Sequence, residues 1–400
     1  MKCPEYVRNC IKLLEESGHS AYAVGGAVRD SLLGLEPSDF DVTTSALPDE
    51  IFEIFSDYRR IPTGIKHGTV TVLFEVDGKY EPIEITTYRI DGAYRDSRHP
   101  ERVEFTSRLC DDLARRDFTI NALAFNEKEG IIDEFGGRAD LENGIIRCVG
   151  DPETRFSEDA LRILRAFRFS SQLGFKIEYG TLQGAKKCSH LLKNIARERV
   201  GAEFKRLLAS RGAFYSLREM IECGVWGEIF DTNAPSLELV SRLSELRNGN
   251  FSTRLAVIIT DYSEDQRTQL LSSLRLSNDE KQLILRLCRI REFDISAGEI
   301  GATARRFLHL YGDIYESALE LLVLWHGCAD FARAVENERI KRNPLRISDL
   351  AVRGEDILPL CKGDHKNVGL TLSYLLERVI EDPSLNTREA LIEIAKKNLV

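Results

Sequence analysis

The sequence predicts an α+β protein, with a head of mixed strands and helices over residues 1–150 and an all-helical remainder. Three observations predict it. The β-rich runs Ala21–Val24, Thr69–Val76 and Ile83–Tyr88 all fall in the first 150 residues. From about Asp151 onward the strand signal fades, and apolar residues recur at helical spacing over 196–210, 236–247, 279–291, 302–325 and 370–381. Breaks such as Cys223-Gly224 and Asn343-Pro344 separate these helical stretches.

Taken in order, Val7, Ile11 and Leu14 stand at helical spacing among charges, which predicts a first helix over 7–17. The strand Ala21–Val24 runs directly into Gly25-Gly26. Thr69–Val76 (TVTVLFEV) and Ile83–Tyr88 (IEITTY) predict two strands joined by a turn at Asp77-Gly78, so the head has at least four strands. Ser157 reads as the N-cap of a helix through Ser170, with Glu158 and Asp159 in its first turn. The helical remainder divides into a neck (151–211), a body (212–335) and a tail (336–400). No internal repeat or low-complexity run interrupts it.

The 400 residues carry 64 acidic and 55 basic side chains, and 43% hydrophobic with 8% aromatic residues exclude a disordered chain. The longest stretch without a charge, Ser17–Val28, has twelve residues, too few for a membrane-spanning helix. The N-terminal residues hold no apolar core of a signal peptide, so a cytoplasmic protein is expected. Nine scattered cysteines without a C-x-x-C pair read as reduced thiols, and Cys188/His190 with His326/Cys328 do not amount to a zinc signature. The net charge of −9 hides an asymmetry. Residues 1–150 have 18 Lys and Arg against 28 Asp and Glu, residues 151–211 have 13 against 7, and residues 212–400 have 24 against 29. A basic neck between two acidic segments is where a polyanion can sit.

Chemistry concentrates in a few blocks. Gly25-Gly26-Ala27-Val28-Arg29-Asp30 lets the backbone approach a phosphate, and Arg29 adds a charge-assisted donor. Asp39-Phe40-Asp41 puts two carboxylates on one face of a strand, a donor pair suited to Mg²⁺ with substrate phosphates. Neither element is specific alone, and the glycine pair matches neither a dinucleotide fingerprint nor a Walker loop. Three further blocks follow in order: Arg115-Arg116-Asp117-Phe118-Thr119-Ile120-Asn121-Ala122, Asp133-Glu134-Phe135-Gly136-Gly137-Arg138-Ala139-Asp140-Leu141, and Glu158-Asp159-Ala160-Leu161-Arg162.

Together, in this order, these motifs resemble the bacterial and eukaryotic class of tRNA nucleotidyltransferases, the CCA-adding enzymes, which share their head with bacterial poly(A) polymerases and, more distantly, with polymerase β-like nucleotidyltransferases. Glu198-Arg199-Val200-Gly201-Ala202-Glu203 matches a further family element, and Asp349–Ile357 resembles the family's tail. The resemblance is strong over about 20–210. It implies a polymerase β-like head and in-line attack of a tRNA 3′-hydroxyl on the α-phosphate of CTP or ATP, with release of pyrophosphate. It implies that Asp39 and Asp41 are catalytic and hold two Mg²⁺ ions. Glu84 is the candidate for a third carboxylate, although a salt-bridged strand residue is the first reading of it. The resemblance sets Gly26 and Arg29 on the triphosphate and Arg116 near the nucleotide. Asp117 and Asn121 either hold the sugar or buttress the turn.

A protein that chooses C and A without a template must imitate one with side chains. Cytosine and adenine both present an amine beside a ring acceptor, whereas uracil and guanine reverse that order. A carboxylate that accepts and a guanidinium that donates read the first pattern and reject the second. Within the motif set, Asp159 and Arg162 fit that requirement, three residues apart on a helix. Arg165 and Arg168 continue the spacing, but each step of three turns the helix by about −60°, so Arg168 is expected to support phosphate or a neighbouring carboxylate. The family pattern includes both arginines in nucleotide binding.

Relatives add CCA, only CC, only A, or long A tails. Thr87–Pro100 resembles the flexible loop used to switch from C to A, with Asp91, Arg95, Asp96 and Arg98 as its charged members. Thr63–Thr69 resembles the CCA-adding type. CCA addition therefore leads, ahead of A-only addition, then CC-only addition or a poly(A) polymerase. A non-catalytic RNA-binding protein on a dead head would lack Asp39 or Asp41, and both are present. No His-Asp dipeptide occurs, so the metal phosphohydrolase domain of some relatives is absent. The implied partners are tRNA, CTP and ATP, with neither DNA nor a membrane. The oligomeric state stays open. In the C-terminal half the candidate phosphate contacts are Lys341-Arg342 with Arg346, and Lys362 with Lys366.

Overall fold

Hydrophobic alternation builds the head around one twisted sheet. The computed structural model describes residues 3–92, 103–247, 249–361 and 364–398. In the head these run α1 (Glu5–Glu16), β1 (Ala21–Val24), α2 (Gly26–Leu32), β2 (Asp41–Thr44), α3 (Pro48–Ile54), β3 (Arg59–Gly64), β4 (Thr69–Val76) and β5 (Lys79–Thr87). There follow β6 (Arg89–Asp91), β7 (Val103–Phe105), α4 (Leu109–Ala114), β8 (Leu123–Asn126), β9 (Gly130–Asp133) and α5 (Gly137–Asn143). Seven strands form the sheet in the order β3-β4-β5-β2-β1-β8-β9, and β6 pairs with β7 apart from it. Val42, Val70, Val72, Ile83 and Ile85 are wholly buried from three adjacent central strands. Full burial of each such side chain contributes about 1.5–3 kcal/mol.

One pairing positions the chemistry. β2 and β5 run parallel with Asp41 opposite Glu84, so both carboxylates emerge on the same face. Asp39 lies before the strand begins, yet exposure still alternates from Asp39 through Phe40 and Asp41 to Val42. The shared face expected for Asp39 and Asp41 thus arises from an extended loop leading into β2. β5 starts earlier than the β-rich run predicts, and it contains Pro82. That proline pairs with Leu73 of β4, while the pairing with β2 starts only at Glu84, so its missing N–H is not needed there.

The neck corrects one sequence expectation. The helix predicted from Ser157 through Ser170 is two helices, α6 (Pro152–Glu158) and α7 (Leu161–Leu173). Asp151 caps α6 by accepting from the Thr154 N–H at 2.8 Å, with Pro152 in the first turn. Ser157 lies inside α6, and the chain turns extended at Asp159. Beyond α7 come α8 (Tyr179–Cys188) and α9 (Arg197–Ala209), and α7 packs on α9. A two-residue strand, Lys176–Ile177, pairs in parallel with Ile145–Ile146.

The chain divides into two compact units, residues 1–237 with 264–276, and residues 238–263 with 277–400. In the second unit every named element is helical, including Phe251–Ile258, Asn278–Cys288, Ile300–Tyr311, Ala329–Lys341 and His365–Glu381. Buried Arg305 ties it together, donating to the carbonyls of Ile380 and Glu381 at 2.7 Å each and to Glu338 at 3.1 Å. Among the described residues no helix is long and apolar enough to cross a membrane.

The Asp133–Leu141 block proves to be scaffolding. Asp133 caps α5 through the N–H groups of Gly137 (2.8 Å) and Arg138 (2.9 Å). Asp140 accepts from the Thr119 hydroxyl at 2.7 Å, fixing the short turn Thr119–Asn121. A Cβ on Gly137 would lie 2.2 Å from the Thr119 carbonyl oxygen, so only glycine permits this approach. Gly137→Ala is therefore expected to destabilise the protein by about 1–3 kcal/mol, as overpacking against backbone does. Urea unfolding checks this, and a change below about 0.5 kcal/mol would contradict it.

Candidate active site

A pocket of about 770 Å³ in the first unit collects side chains from the head and the neck. Asp39, Asp41, Gly26, Arg29, Arg116, Asp117, Asn121, Asp159, Arg162, Arg165 and Arg168 all line it, so residues far apart in sequence meet in one cavity. Of the loop residues, Asp91 ends β6, and Arg95, Asp96 and Arg98 lie outside the described residues. Arg115, Arg199 and Arg206 also line the pocket, and no role is predicted for them from sequence.

The head end is crowded with negative charge. Asp41 has its carboxyl pushed up to about 6, first by desolvation and then by Glu84 and Asp39, against the pull of Arg116. Asp39 accepts from the Ser38 hydroxyl at 2.6 Å. Among the described residues Glu84 makes no ion pair, and its register partner on β2 is Asp41. Among the described residues no three His, Cys, Asp or Glu side chains gather closely enough to hold a metal ion.

The first glycine of the pair has a steric reason. Gly25 has φ of +73°, and a Cβ there would sit 3.2 Å from Arg116 Nη1. Two conditions, a left-handed backbone and a guanidinium alongside, exclude larger residues. Arg116 donates from Nη2 to Asp112 at 3.3 Å, while its Nε is buried without a partner.

The other arginines are mostly engaged. Arg29 binds Asp30 through Nε (2.8 Å) and Nη2 (2.7 Å), and Asn121 through Nη1 (2.7 Å). Asn121 donates to Asp117 at 3.0 Å, and Asp117 receives Arg165 at 2.7 Å and 2.5 Å. Burial pushes the Asp117 carboxyl up, but Arg165 and its hydrogen bonds outweigh this and hold it at about 2. Asp117 and Asn121 are both buried and bonded to each other, which is how a buttress is built. Arg168 reaches Glu203 at 2.5 Å and Gln172 at 2.6 Å. Arg29, Arg165 and Arg168 lie 5.0, 5.3 and 3.8 Å from the Phe169 ring, concentrating positive potential on one wall.

Asp159 and Arg162 do not form a one-turn pair on a continuous helix. Asp159 stands at the break between α6 and α7, where Oδ1 accepts from the Leu161 N–H at 3.0 Å and Oδ2 from Arg199 at 2.8 Å. Arg162 donates to Glu158 at 2.7 Å and to the Arg115 carbonyl at 2.8 Å. Separate partners hold the acceptor and the donor, and both side chains line the cavity. Arg199 was legible as part of the Glu198–Glu203 block, though its partner was not. Its Nη1 is buried without a partner.

Known proteins resemble this chain along its whole length. The family model described as the poly A polymerase head domain matches residues 21–147, and one described as a probable RNA and SrmB-binding site of polymerase A matches 174–238. The CCA-adding enzyme of Ligilactobacillus salivarius is 35% identical over 408 residues, covering 99% of this chain and 98% of its own. The Bacillus stearothermophilus CCA-adding enzyme in complex with CTP superposes with a TM-score of 0.81 at 30% identity, covering 100% and 98%. The Thermotoga maritima CCA-adding enzyme complexed with tRNA has a TM-score of 0.69 at 21% identity, covering 100% and 97%, a likeness of fold.

Asp117 generates a pH prediction. Its carboxyl titrates lower in the folded protein than in the unfolded chain, where about 3.9 is usual. Its contribution to stability is therefore complete above about pH 5 and is lost as the pH falls toward and through 2, on the order of 2 kcal/mol in all. Asp117→Asn should lower the unfolding free energy near neutral pH, and the gap to the wild type should narrow from pH 5 downward. A gap that stays constant down to pH 3 would contradict the assignment.

Proposed function

We infer what this chain does from one premise: it belongs to the family of CCA-adding enzymes. It adds C, C and A to the 3′ end of tRNA from CTP and ATP without a nucleic-acid template, releasing pyrophosphate. The observation that carries the assignment of its site is the single pocket shared by the head carboxylates and the Asp159/Arg162 pair.

Asp39 and Asp41 are the residues we assign to Mg²⁺. The fit is supported by their hard oxygen donors and by the raised carboxyl of Asp41, whose anion is disfavoured first by burial and then by Glu84 and Asp39 and would be stabilised by a cation. Two carboxylates suffice, because Mg²⁺ commonly completes its shell with water and substrate phosphates. When bound, Mg²⁺ activates the attacking hydroxyl and neutralises the leaving pyrophosphate. Gly25 and Gly26 leave room for the triphosphate, and Arg116 has donors to spare for it. Arg29, Arg165 and Arg168, already bonded, supply mainly positive potential. Asp159 accepts from the exocyclic amine of cytosine or adenine, and Arg162 donates to the adjacent ring nitrogen. Uracil or guanine leaves both groups unmatched, at about 1–3 kcal/mol for each bond unmade.

The neck (151–211) takes base choice, while body (212–335) and tail (336–400) take the acceptor arm. Much of the neck's excess charge is paired or turned into the pocket, as with Arg155 on Glu158, Lys187 on Glu153 and Lys193 on Glu228. RNA contacts therefore fall to local clusters. Lys341 is tied to Glu338 and Lys362 lies outside the described residues, which leaves Arg342, Arg346 and Lys366 as the assigned phosphate contacts. A cytoplasmic site of action accords with this substrate.

The test is incorporation into three tRNAs, ending before CCA, after the first C and after CC, each with CTP, ATP and both. C is expected on the first two and a single A on the third. Extension of only the CC-ending tRNA would make it an A-adding specialist, and long A tails would make it a poly(A) polymerase. Asp39→Ala should reduce incorporation of both nucleotides by about 10³-fold or more while tRNA binding survives. Asp159→Ala should raise misincorporation of U and G at least about tenfold, with a smaller effect on triphosphate affinity. Unchanged selectivity would remove the templating role.

A further inference from the structure

We propose that Asp112 is the positioning residue that aims Arg116 at the nucleotide triphosphate. The inference rests on the reading of the pocket as a CTP and ATP site. Asp112 is wholly buried on α4, and nothing in the sequence motifs assigns it a role. Its Oδ1 takes Arg115 through Nε at 2.9 Å and Nη2 at 2.7 Å, and its Oδ2 takes Arg116 Nη2 at 3.3 Å and the Thr43 hydroxyl at 3.1 Å. Thr43 is two residues beyond Asp41 on β2. One carboxylate thus fixes an arginine relative to the strand that carries the proposed metal ligand.

Arg116 differs from its neighbours in what it has left to give. Its long contact with Asp112 is its one hydrogen-bonded partner among the described residues, and its Nε is buried without a partner. A buried donor left unmade costs about 1–3 kcal/mol, which an incoming acceptor recovers. A Cβ on Gly25 would lie 3.2 Å from Arg116 Nη1, so this nitrogen borders the glycine turn. Adjacent in sequence, Arg115 and Arg116 repel each other unless a charge stands between them. Asp112 supplies it, three and four residues back along the helix. Because Arg116 faces the phosphates and not the base, losing its aim weakens CTP and ATP alike and spares the corresponding monophosphates.

The experiment measures dissociation constants of CTP, ATP and CMP by calorimetry for the full-length protein. Asp112→Asn should weaken CTP and ATP about tenfold each and CMP less than about twofold. In an Arg116→Gln background, Asp112→Asn should add less than about twofold, since its effect runs through Arg116. Equal weakening of CMP, additive losses, or CTP binding left intact would each overturn the proposal. If Asp112→Asn does not fold, Asp112→Asn with Arg115→Gln keeps the buried charge balanced, and the same ratio of CTP to CMP loss is expected. If neither folds, Asp112 is structural and the proposal is wrong. A wild-type protein that binds neither CTP nor ATP would instead overturn the reading of the pocket itself.

Discussion

Asp117 sits where the head meets the neck, and the pocket depends on its charge. One oxygen takes the Asn121 amide, which in turn receives Arg29 from α2, and the other takes Arg165 from α7. The chain of bonds from Asp30 through Arg29, Asn121 and Asp117 to Arg165 therefore spans the cavity wall. A buried carboxylate in this position is stable only while its cationic partner stays. The pair consequently ties the wall beside the carboxylates of β2 to α7, the two places to which we assign chemistry and base choice.

The same wall sorts arginines into two kinds. Those around Phe169 have their donors committed to Asp30, Asn121, Asp117, Glu203 and Gln172, so they hold a positive field without competing for one geometry. Arg116 and Arg199 retain buried N–H groups without partners. A site that must accept two different nucleotides gains from this division. Committed arginines attract any triphosphate, while a few open donors fix its position. Asp159, to which we assign base recognition, is likewise held by Arg199 and by the N–H of Leu161.

Much of this was legible in the sequence, and the reasons for the rest are physical. β1 and β4 were readable residue by residue because β1 is buried throughout and β4 is rich in β-branched and aromatic residues, and all eleven site residues named from motifs outside the loop line the pocket. β3 and β9 were missed because short strands with polar or glycine residues carry little periodicity. The break at Asp159 was hidden because Ser157-Glu158-Asp159 imitates the start of a helix, while Asp151-Pro152 was the true start. Long-range partners were beyond reach: no spacing announces that Asp159 meets Arg199 or that Thr43 meets Asp112. The Asp133–Leu141 block was recognised as a motif, but its work against Thr119 needed coordinates.

The most direct test of a single pocket joining transfer chemistry to base choice is a crystal structure of this protein with CTP. The triphosphate is expected beside Asp39, Asp41 and Arg116, with the cytosine amine on Asp159 and its ring nitrogen facing Arg162. A cytosine bound away from Asp159 and Arg162, or a triphosphate remote from Arg116, would contradict the account.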